Sequence, residues 1–374
     1  MIPLFKVFMS PTAKEEVAKV LESGYIGQGP KVDEFENKLS EYFNVDYLLT
    51  LNTGTSALHL TLHIIKNMYQ PDQSFEVLTT PLTCTATNWP ILANGLKIKW
   101  VDVDPTTLNM DLDDLERKLT PQTRIIMVVH WGGYPTDLDR LKKIQNKCFM
   151  LYGFKPIIIE DAAHAFGSKY DGRFLGNHGN IVMYSLQAIK HVTSVDGGVL
   201  ILPNIDFYNK AKLLRWYGID RNTNKKDFRC ESNVSDFGFK FHMNDVNASI
   251  GIENLKNGDW IINKHKENGK FYDNKLVDIP GLTVLNRDKK HDSSFWVYSM
   301  LVENREGFYN KMKEANIMVS QVHERNDKHS CVNEYRTPLP TLDKIINNVV
   351  SIPVGWWVTK ENREYIVEKI KEGW

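Results

Sequence analysis

The sequence contains few cysteines, and their spacing argues against the two commonest roles of paired cysteines. Four occur among 374 residues, and no two of them form a C-x-x-C pair. They fit neither a zinc site nor a disulfide framework. We therefore expect reduced, scattered thiols in a cytoplasmic protein. The four are Cys84, Cys148, Cys230 and Cys331.

The chain also lacks an excess of charge of either sign. Its 46 Lys and Arg residues balance its 46 Asp and Glu residues. A balanced chain presents no wide basic field, so we predict that nucleic acid is not a partner. Hydrophobic residues make up 42% and charged residues 25%, which is globular composition and excludes disorder over most of the chain.

Long hydrophobic runs are absent as well. The longest purely apolar stretches, such as 125–129 and 157–159, are far too short to cross a bilayer. No core typical of a signal peptide follows the first ten residues. We predict no membrane partner and a soluble, enzyme-sized chain.

Short apolar runs alternate with helical patterns along the first two-thirds of the chain. This alternation predicts an α/β domain with a mostly parallel sheet flanked by helices. Amphipathic stretches at 111–119 and 138–146 supply helices between strands. The predicted strands are 76–80, 98–103, 125–130, 156–161, 180–185 and 199–202.

The pattern changes after about residue 245, which predicts a second domain. We place a large α/β domain at 1–245 and a smaller α+β domain at 246–374. A polar loop is predicted at 222–226. The smaller domain should contain helices at 246–256, 305–315 and 360–370 and strands at 282–285 and 295–302.

Polar residues follow several predicted strands, where open α/β sheets bind their ligands. The first such segment, 52–60, leads from small and hydroxyl residues into a helical pattern. Gly54 allows a ligand to approach the backbone, and Thr55 or Ser56 can cap the helix. Such a helix start could hold a phosphate, although an ordinary N-cap has the same composition.

A second segment, 157–167, ends a buried strand at Asp161. A buried carboxylate needs a cation or a hydrogen-bond donor, so Asp161 should face one. The alternative is that Asp161 caps a helix. His164 should lie on the same side one helical turn later, either in the site or as a satisfied core residue.

The third segment runs from Ser185 to Gly198 and carries Lys190 in a loop of small and polar residues between two buried strands. Lysines are ordinarily solvated surface residues, so this placement is unusual. An anion cradle, an acid and a lysine together suit pyridoxal 5′-phosphate (PLP). PLP chemistry uses a lysine for the Schiff base, a carboxylate for the pyridine nitrogen and an anion site for the phosphate.

A series of motifs in order then identifies a family. The chain resembles the nucleotide-sugar aminotransferases of the DegT/StrS type, in fold type I of the PLP enzymes (the aspartate aminotransferase superfamily). The resemblance covers nearly the whole chain. It rests on the motifs at 24–30, 53–55, 102–104, 129–130, 160–164, 172–173, 185–198 and 351–353.

This resemblance implies roles for particular residues. Lys190 would be the Schiff-base lysine and Asp161 the partner of the pyridine nitrogen, and His164 would lie near the ring hydroxyl. The phosphate would be held by Gly54, Thr55 and Ser185. Weaker substrate-site candidates are Trp89, His323 and Arg325.

The chain departs from the family pattern at two places. Cys84 stands where relatives have an aromatic residue stacked on the cofactor ring, and Trp89 or Trp131 could replace that contact. Relatives often read Gly-Tyr-Asn-Tyr-Arg where this chain has 238–242, with Lys240 at the Asn position. That Asn reaches the phosphate of a partner subunit, so the resemblance implies a homodimer with shared active sites.

The resemblance implies a transaminase in deoxyamino-sugar and polysaccharide biosynthesis. Amino transfer from glutamate to a nucleotide-linked 4-keto-6-deoxyhexose is the first candidate, and a 3-keto sugar is the second. A dehydratase branch replaces the lysine with His, whereas Lys190 is present here. Two further alternatives are a non-catalytic PLP-binding regulator and a nicotinamide enzyme, although no G-x-G-x-x-G follows an early strand.

Overall fold

A computed structural model describes residues 1–69, 75–221, 226–231 and 233–374. Except for Lys226, the predicted polar loop at 222–226 lies outside the described residues. Within them, no helix is both long and apolar enough to span a membrane.

The strands of the described residues form one large sheet and two small ones. The large sheet has the order β1-β9-β8-β5-β4-β2-β3, and the small sheets have the orders β10-β12-β13 and β11-β6-β7. The strands are β1 (Leu48–Leu51), β2 (Glu76–Thr79), β3 (Lys97–Trp100), β4 (Thr123–Val129), β5 (Ile157–Asp161), β6 (Lys169–Tyr170), β7 (Arg173–Phe174), β8 (Ile181–Ser185), β9 (Gly198–Ile201), β10 (Leu282–Val284), β11 (His291–Asp292), β12 (Tyr298–Val302) and β13 (Val349–Ile352).

Helices cover both faces of the large sheet. Several begin at a capping side chain, as α6 does at Asp137, which accepts a hydrogen bond from the backbone N–H of Arg140. The helices are α1 (Ala13–Ser23), α2 (Pro30–Phe43), α3 (Gly54–Lys66), α4 (Thr85–Ala93), α5 (Leu112–Arg117), α6 (Leu138–Tyr152), α7 (Ile205–Leu214), α8 (Phe228–Glu231), α9 (Asp245–Leu255), α10 (Gly258–Lys275), α11 (Arg305–Glu314), α12 (Pro340–Ile345) and α13 (Lys360–Lys371).

The large sheet confirms the predicted mostly parallel architecture. Strands β8, β5, β4, β2 and β3 pair in parallel, and β9 is antiparallel to both of its neighbours, β1 and β8. Alternate residues of β4 enter different cores, since Ile125 and Met127 pack on one face and Ile126 and Val128 on the other. A sheet buried on both faces explains why its strands read as apolar runs.

Besides the two hydrophobic cores on the faces of the large sheet, a third core lies in the C-terminal part of the chain, where β10, β12 and β13 pair antiparallel. Its position agrees with a smaller α+β unit in this region. Helix α9, which opens the predicted second domain, packs on α1 and α2. Its Ala248 and Ile252 lie in the core on one face of the large sheet. The domain boundary at 245 stays a prediction.

Candidate active site

A cavity of about 360 Å³ lies at the edge of the large sheet where the parallel strands β4, β5 and β8 end. It brings together eight of the predicted site residues. Trp89, Lys240 and Arg325 do not line it. The eight residues are Gly54, Thr55, Cys84, Asp161, His164, Ser185, Lys190 and His323.

One wall of the cavity is the N-terminus of α3. The cap is Thr53, whose hydroxyl oxygen accepts a hydrogen bond of 2.9 Å from the N–H of Ser56, so the expectation that Thr55 or Ser56 caps this helix is wrong. The N–H groups of Gly54 and Thr55 belong to the first turn and have no intrahelical acceptor. A Cβ at Gly54 would lie 2.8 Å from the sulfur of Met183, so this helix start requires glycine. The result is a narrow cradle for an anion.

Asp161 ends β5 and is 3% exposed. No described helix begins there, so the alternative that Asp161 caps a helix is wrong, and His164 lies on a turn. One carboxylate oxygen accepts a 2.7 Å hydrogen bond from the Thr87 hydroxyl, and the other accepts one of 3.0 Å from the N–H of Ala163. Burial raises the pKa of this carboxyl group, which Thr87 and the charge of Lys190 oppose. A cationic partner in the cavity would therefore stabilise the carboxylate.

Lys190 lies in the loop between β8 and β9 and points into the cavity. Its Nζ lies 3.7 Å from the centroid of the Trp296 ring. Burial lowers the pKa of the Lys190 amine to about 8, although the charge of Asp161 acts in the opposite direction. About a tenth of the amine is therefore neutral near pH 7, far more than in an ordinary lysine, and the neutral form is the one that acts as a nucleophile or base.

Two histidines complete the wall beside Lys190. The His164 and His323 rings lie nearly parallel with centroids 5.2 Å apart, and their Nε2 atoms are 3.2 Å apart. Burial lowers the pKa of His164 well below its usual range and that of His323 to about 3, with the charge of Lys190 contributing at both. Both imidazoles are therefore neutral near pH 7. Each ring can donate a hydrogen bond from one nitrogen and accept one at the other. The buried Nδ1 of His164 has no hydrogen-bond partner among the described residues.

The aromatic wall of the cavity was not predicted. Trp296 lines the cavity, whereas Trp89 packs edge-on against His329 and Trp131 lies edge-on to His164. Trp296 was expected inside a strand at 295–302, but β12 begins at Tyr298. Its position near the start of a predicted strand was a weak indication that Trp296 could reach the site.

The other two predicted residues lie elsewhere. Arg325 forms two hydrogen bonds of 2.6–2.7 Å with Asp327 and a further ion pair with Asp343, so its guanidinium is already engaged. Lys240 is exposed, and its carbonyl oxygen accepts a hydrogen bond from the side chain of Asn52. Within one chain, therefore, neither residue reaches the cavity.

The donor set of the cavity fits PLP. Asp161 is suited to pair with a protonated pyridine nitrogen. The Nδ1 of His164 has no partner among the described residues, so it can form a hydrogen bond with a ligand. The start of α3 and Ser185 suit the phosphate, and Lys190 suits the aldehyde carbon. Bound here, PLP would supply an electron sink for charge released at a substrate carbon.

We expect the reactivity of Lys190 in the apoenzyme to follow its lowered pKa. Since the neutral amine is the nucleophile, a pKa of about 8 gives a reactive fraction about 300-fold larger at pH 7 than an ordinary lysine has. Its labelling by trinitrobenzenesulfonate, followed by peptide mass, should rise with pH to a midpoint near 8 and then level off. N-acetyl-lysine methyl amide serves as the reference. A midpoint equal to that of the reference compound would contradict the burial argument.

Comparison with known proteins agrees with this geometry. The model of the DegT/DnrJ/EryC1/StrS aminotransferase family matches residues 9–371. The structure of AtS13 from Actinomadura melliaura is 50% identical, with a TM-score of 0.97 over 100% of this chain and 99% of that chain. The sugar aminotransferase CalS13 from Micromonospora echinospora is 45% identical, with a TM-score of 0.96 over 100% of both chains.

A relative with a more specific name is the UDP-4-amino-4,6-dideoxy-N-acetyl-beta-L-altrosamine transaminase of Campylobacter jejuni. It is 29% identical over 382 residues, which span 96% of each chain. The match over nearly the whole chain confirms the family resemblance and the predicted enzyme class. The chain belongs to the DegT/DnrJ/EryC1/StrS aminotransferase family and is a PLP-dependent enzyme of that family.

Proposed function

We propose that this enzyme moves an amino group from glutamate to a keto group of a nucleotide-linked deoxy sugar. The observation that carries the proposal is the amine of Lys190, which points into a cavity walled by Asp161 and the start of α3. A 4-keto-6-deoxyhexose is the first candidate acceptor. It is supported by the Campylobacter jejuni relative, whose name specifies an amino group at C4 of a 4,6-dideoxy sugar. A 3-keto sugar is the second candidate.

In this proposal each residue has a defined task. The neutral amine of Lys190 takes the proton from the α-carbon of the amino donor and, once protonated, returns it to the carbon that bears the transferred nitrogen. Asp161 keeps a proton on the pyridine nitrogen by electrostatic attraction. His164 offers a hydrogen bond to the ring hydroxyl. The half-reaction with the keto sugar runs through the same positions in reverse order.

A screen of keto nucleotide sugars tests the acceptor. The enzyme with bound PLP is incubated with glutamate and one candidate sugar, and the product is identified by mass. We expect an amino sugar and one equivalent of 2-oxoglutarate from a 4-keto-6-deoxyhexose. Product from 3-keto sugars alone would overturn the first candidate, and absence of product from every keto sugar would overturn the proposed substrate class.

We also propose a symmetric homodimer in which Lys240 binds the cofactor phosphate in the partner's active site. Lys240 is exposed, and among the described residues its amine has no ion-pair partner. It lies beside Asn52, which directly precedes the start of α3. A cation paired with phosphate binds more strongly than the neutral Asn of relatives. The alternative is an ordinary surface lysine at a strand edge.

Mixing two inactive variants separates these alternatives. Lys190→Ala chains and Lys240→Ala chains should each be poorly active alone. In a hybrid dimer the first chain supplies Lys240 to the site that keeps Lys190, so one complete site re-forms. After subunit exchange of equal amounts, activity per chain should recover to about a quarter of the parent value.

Subunit exchange is verified by the mass of the intact dimers, with one of the two variants labelled uniformly with ¹⁵N, because two Lys→Ala variants of one chain have the same mass. As a control, mixing Lys190→Ala with Lys155→Ala, an exposed lysine over the ring of Phe149, should give no gain beyond dilution. A monomer in solution, or no recovery in verified hybrids, would show that Lys240 plays no part across an interface.

A further inference from the structure

The amine of Lys190 has one close neighbour of an unexpected kind. Among the described residues Nζ forms no hydrogen bond or ion pair, and it lies 3.7 Å from the ring centroid of Trp296. Trp296 is 2% exposed and lines the same cavity. The face of an indole carries partial negative charge and attracts an ammonium group within about 6 Å. Within the described residues the ring face is therefore the direct contact of the amine, and the charge of Asp161 also attracts it.

The indole itself is held on several sides. Its Nε1–H donates a hydrogen bond of 2.9 Å to the carbonyl of Ile189, the residue before Lys190. Its backbone N–H donates one of 2.9 Å to the carbonyl of Gly132. The ring of His164 lies parallel to it at 3.9 Å between centroids. A ring fixed in this way loses little freedom when it contacts a ligand.

The N-terminal segment, residues 2–10, reaches the same ring. Phe5 stacks on Trp296 with centroids 5.0 Å apart. The segment is fixed on both sides of Phe5. The carbonyl of Pro3 accepts a 2.8 Å hydrogen bond from Trp357, and the N–H of Ser10 donates one of 2.8 Å to Asn254. Phe5 does not line the cavity, and the contact that joins it to the cavity wall is its stacking on Trp296.

We propose that Trp296 is a positioning residue, which holds the Lys190 amine at the cofactor aldehyde through its ring face, with Phe5 supporting the ring from behind the cavity wall. A lysine side chain has four rotatable bonds, and an amine free to explore them would reach the aldehyde less often. The contact with Trp296 removes this freedom before PLP arrives. The inference rests on the proposed role of Lys190 and on the cofactor of the family, and it does not depend on which sugar is the acceptor.

The test uses attachment of PLP to the apoenzyme and needs no sugar substrate. The rate is followed by the visible absorption that develops when the cofactor bonds to the lysine, and visible circular dichroism reports how the bound chromophore is held. We expect Trp296→Leu to attach PLP about tenfold more slowly and with weakened circular dichroism, because restricting two of the four side-chain torsions of Lys190 to one of three staggered rotamers is worth about a factor of nine. Trp296→Phe should keep both signals within about threefold of the parent, since it retains a ring.

Two more variants distinguish positioning from a general loss of structure. Phe5→Ala leaves the cavity wall intact and should shift both signals in the same direction by a smaller factor. Trp374→Leu is the matched control, because Trp374 packs edge-on against Phe308 and donates a hydrogen bond to the carbonyl of Glu303. It should change neither signal. Thermal unfolding of each apoenzyme identifies variants that fail to fold.

The proposal is overturned if folded Trp296→Leu attaches PLP at the parent rate with unchanged circular dichroism. It is also overturned if Trp296→Phe loses as much as Trp296→Leu, since the ring face would then be irrelevant. Loss of attachment in Lys190→Ala is a separate result that tests the proposed function. Failure of one proposal can thus be told from failure of the other.

Discussion

Replacing Lys190 with alanine should lower the rate of amino transfer by at least about 10⁴-fold, at the upper end of what a single general base contributes. The side chain supplies both the bond to the cofactor and the proton transfer, and no other lysine of the described residues lines the cavity. Rates are measured as 2-oxoglutarate formed from glutamate in a single turnover. Thermal unfolding should be unchanged or slightly improved, since the replacement removes an amine whose burial is unfavourable.

Lys155→Ala is the matched control, because it removes an exposed lysine whose amine lies 5.9 Å from the centroid of the Phe149 ring. It should react at the parent rate. Near-normal turnover of Lys190→Ala, or failure of borohydride to fix PLP on Lys190 in the parent enzyme, would remove the residue from the chemistry.

Replacing Asp161 with asparagine should lower the rate by about a hundredfold or more. The amide oxygen can still accept the hydrogen bond from the N–H of Ala163, and the amide NH₂ can donate one to the Thr87 hydroxyl, which then acts as the acceptor. It cannot hold a proton on the pyridine nitrogen by charge. We expect the affinity for PLP to fall less than the rate, and the visible absorption of the bound cofactor to shift toward the form with an unprotonated ring.

Asp111→Asn controls for a loss of local structure. Asp111 caps α5 by accepting hydrogen bonds from the N–H groups of Asp113 and Asp114, a task that asparagine performs nearly as well. That variant should keep its full rate. If Asp161→Asn stays within a few-fold of the parent, the carboxylate serves only the turn that follows β5.

Much of the large sheet could be predicted, because buried parallel strands appear in the sequence as continuous apolar runs. β5 and β8 appeared within one residue of their observed bounds. β1 and β13 were missed. Their place in the sheets comes from long-range pairing, such as that of β1 with β9.

The candidate site was predictable to the extent that it depends on strand ends. Asp161, Ser185 and Lys190 could be placed at one edge, because parallel strands end on the same side of a sheet. Trp296 could not, since it approaches Lys190 from a loop more than a hundred residues further along the chain. Arg325 was expected in the substrate site, but its guanidinium is paired with Asp327 and Asp343. The fold brings Asp343 to it, whereas Asp327 lies two residues further along the chain and was a local indication of an ion pair.

The antiparallel direction of β9 relative to β8 determines how the loop that carries Lys190 is held. Ser185 at the end of β8 pairs with Gly198 at the start of β9, and β8 pairs on its other side with β5, which ends in Asp161. Strand pairing therefore holds both ends of the loop that carries Lys190. Backbone hydrogen bonds between neighbouring strands connect this loop to Asp161 at the end of β5. Loss of these backbone hydrogen bonds on heating would separate Lys190 and Asp161 in one step. We therefore expect catalytic activity to be lost at the temperature at which the central sheet unfolds.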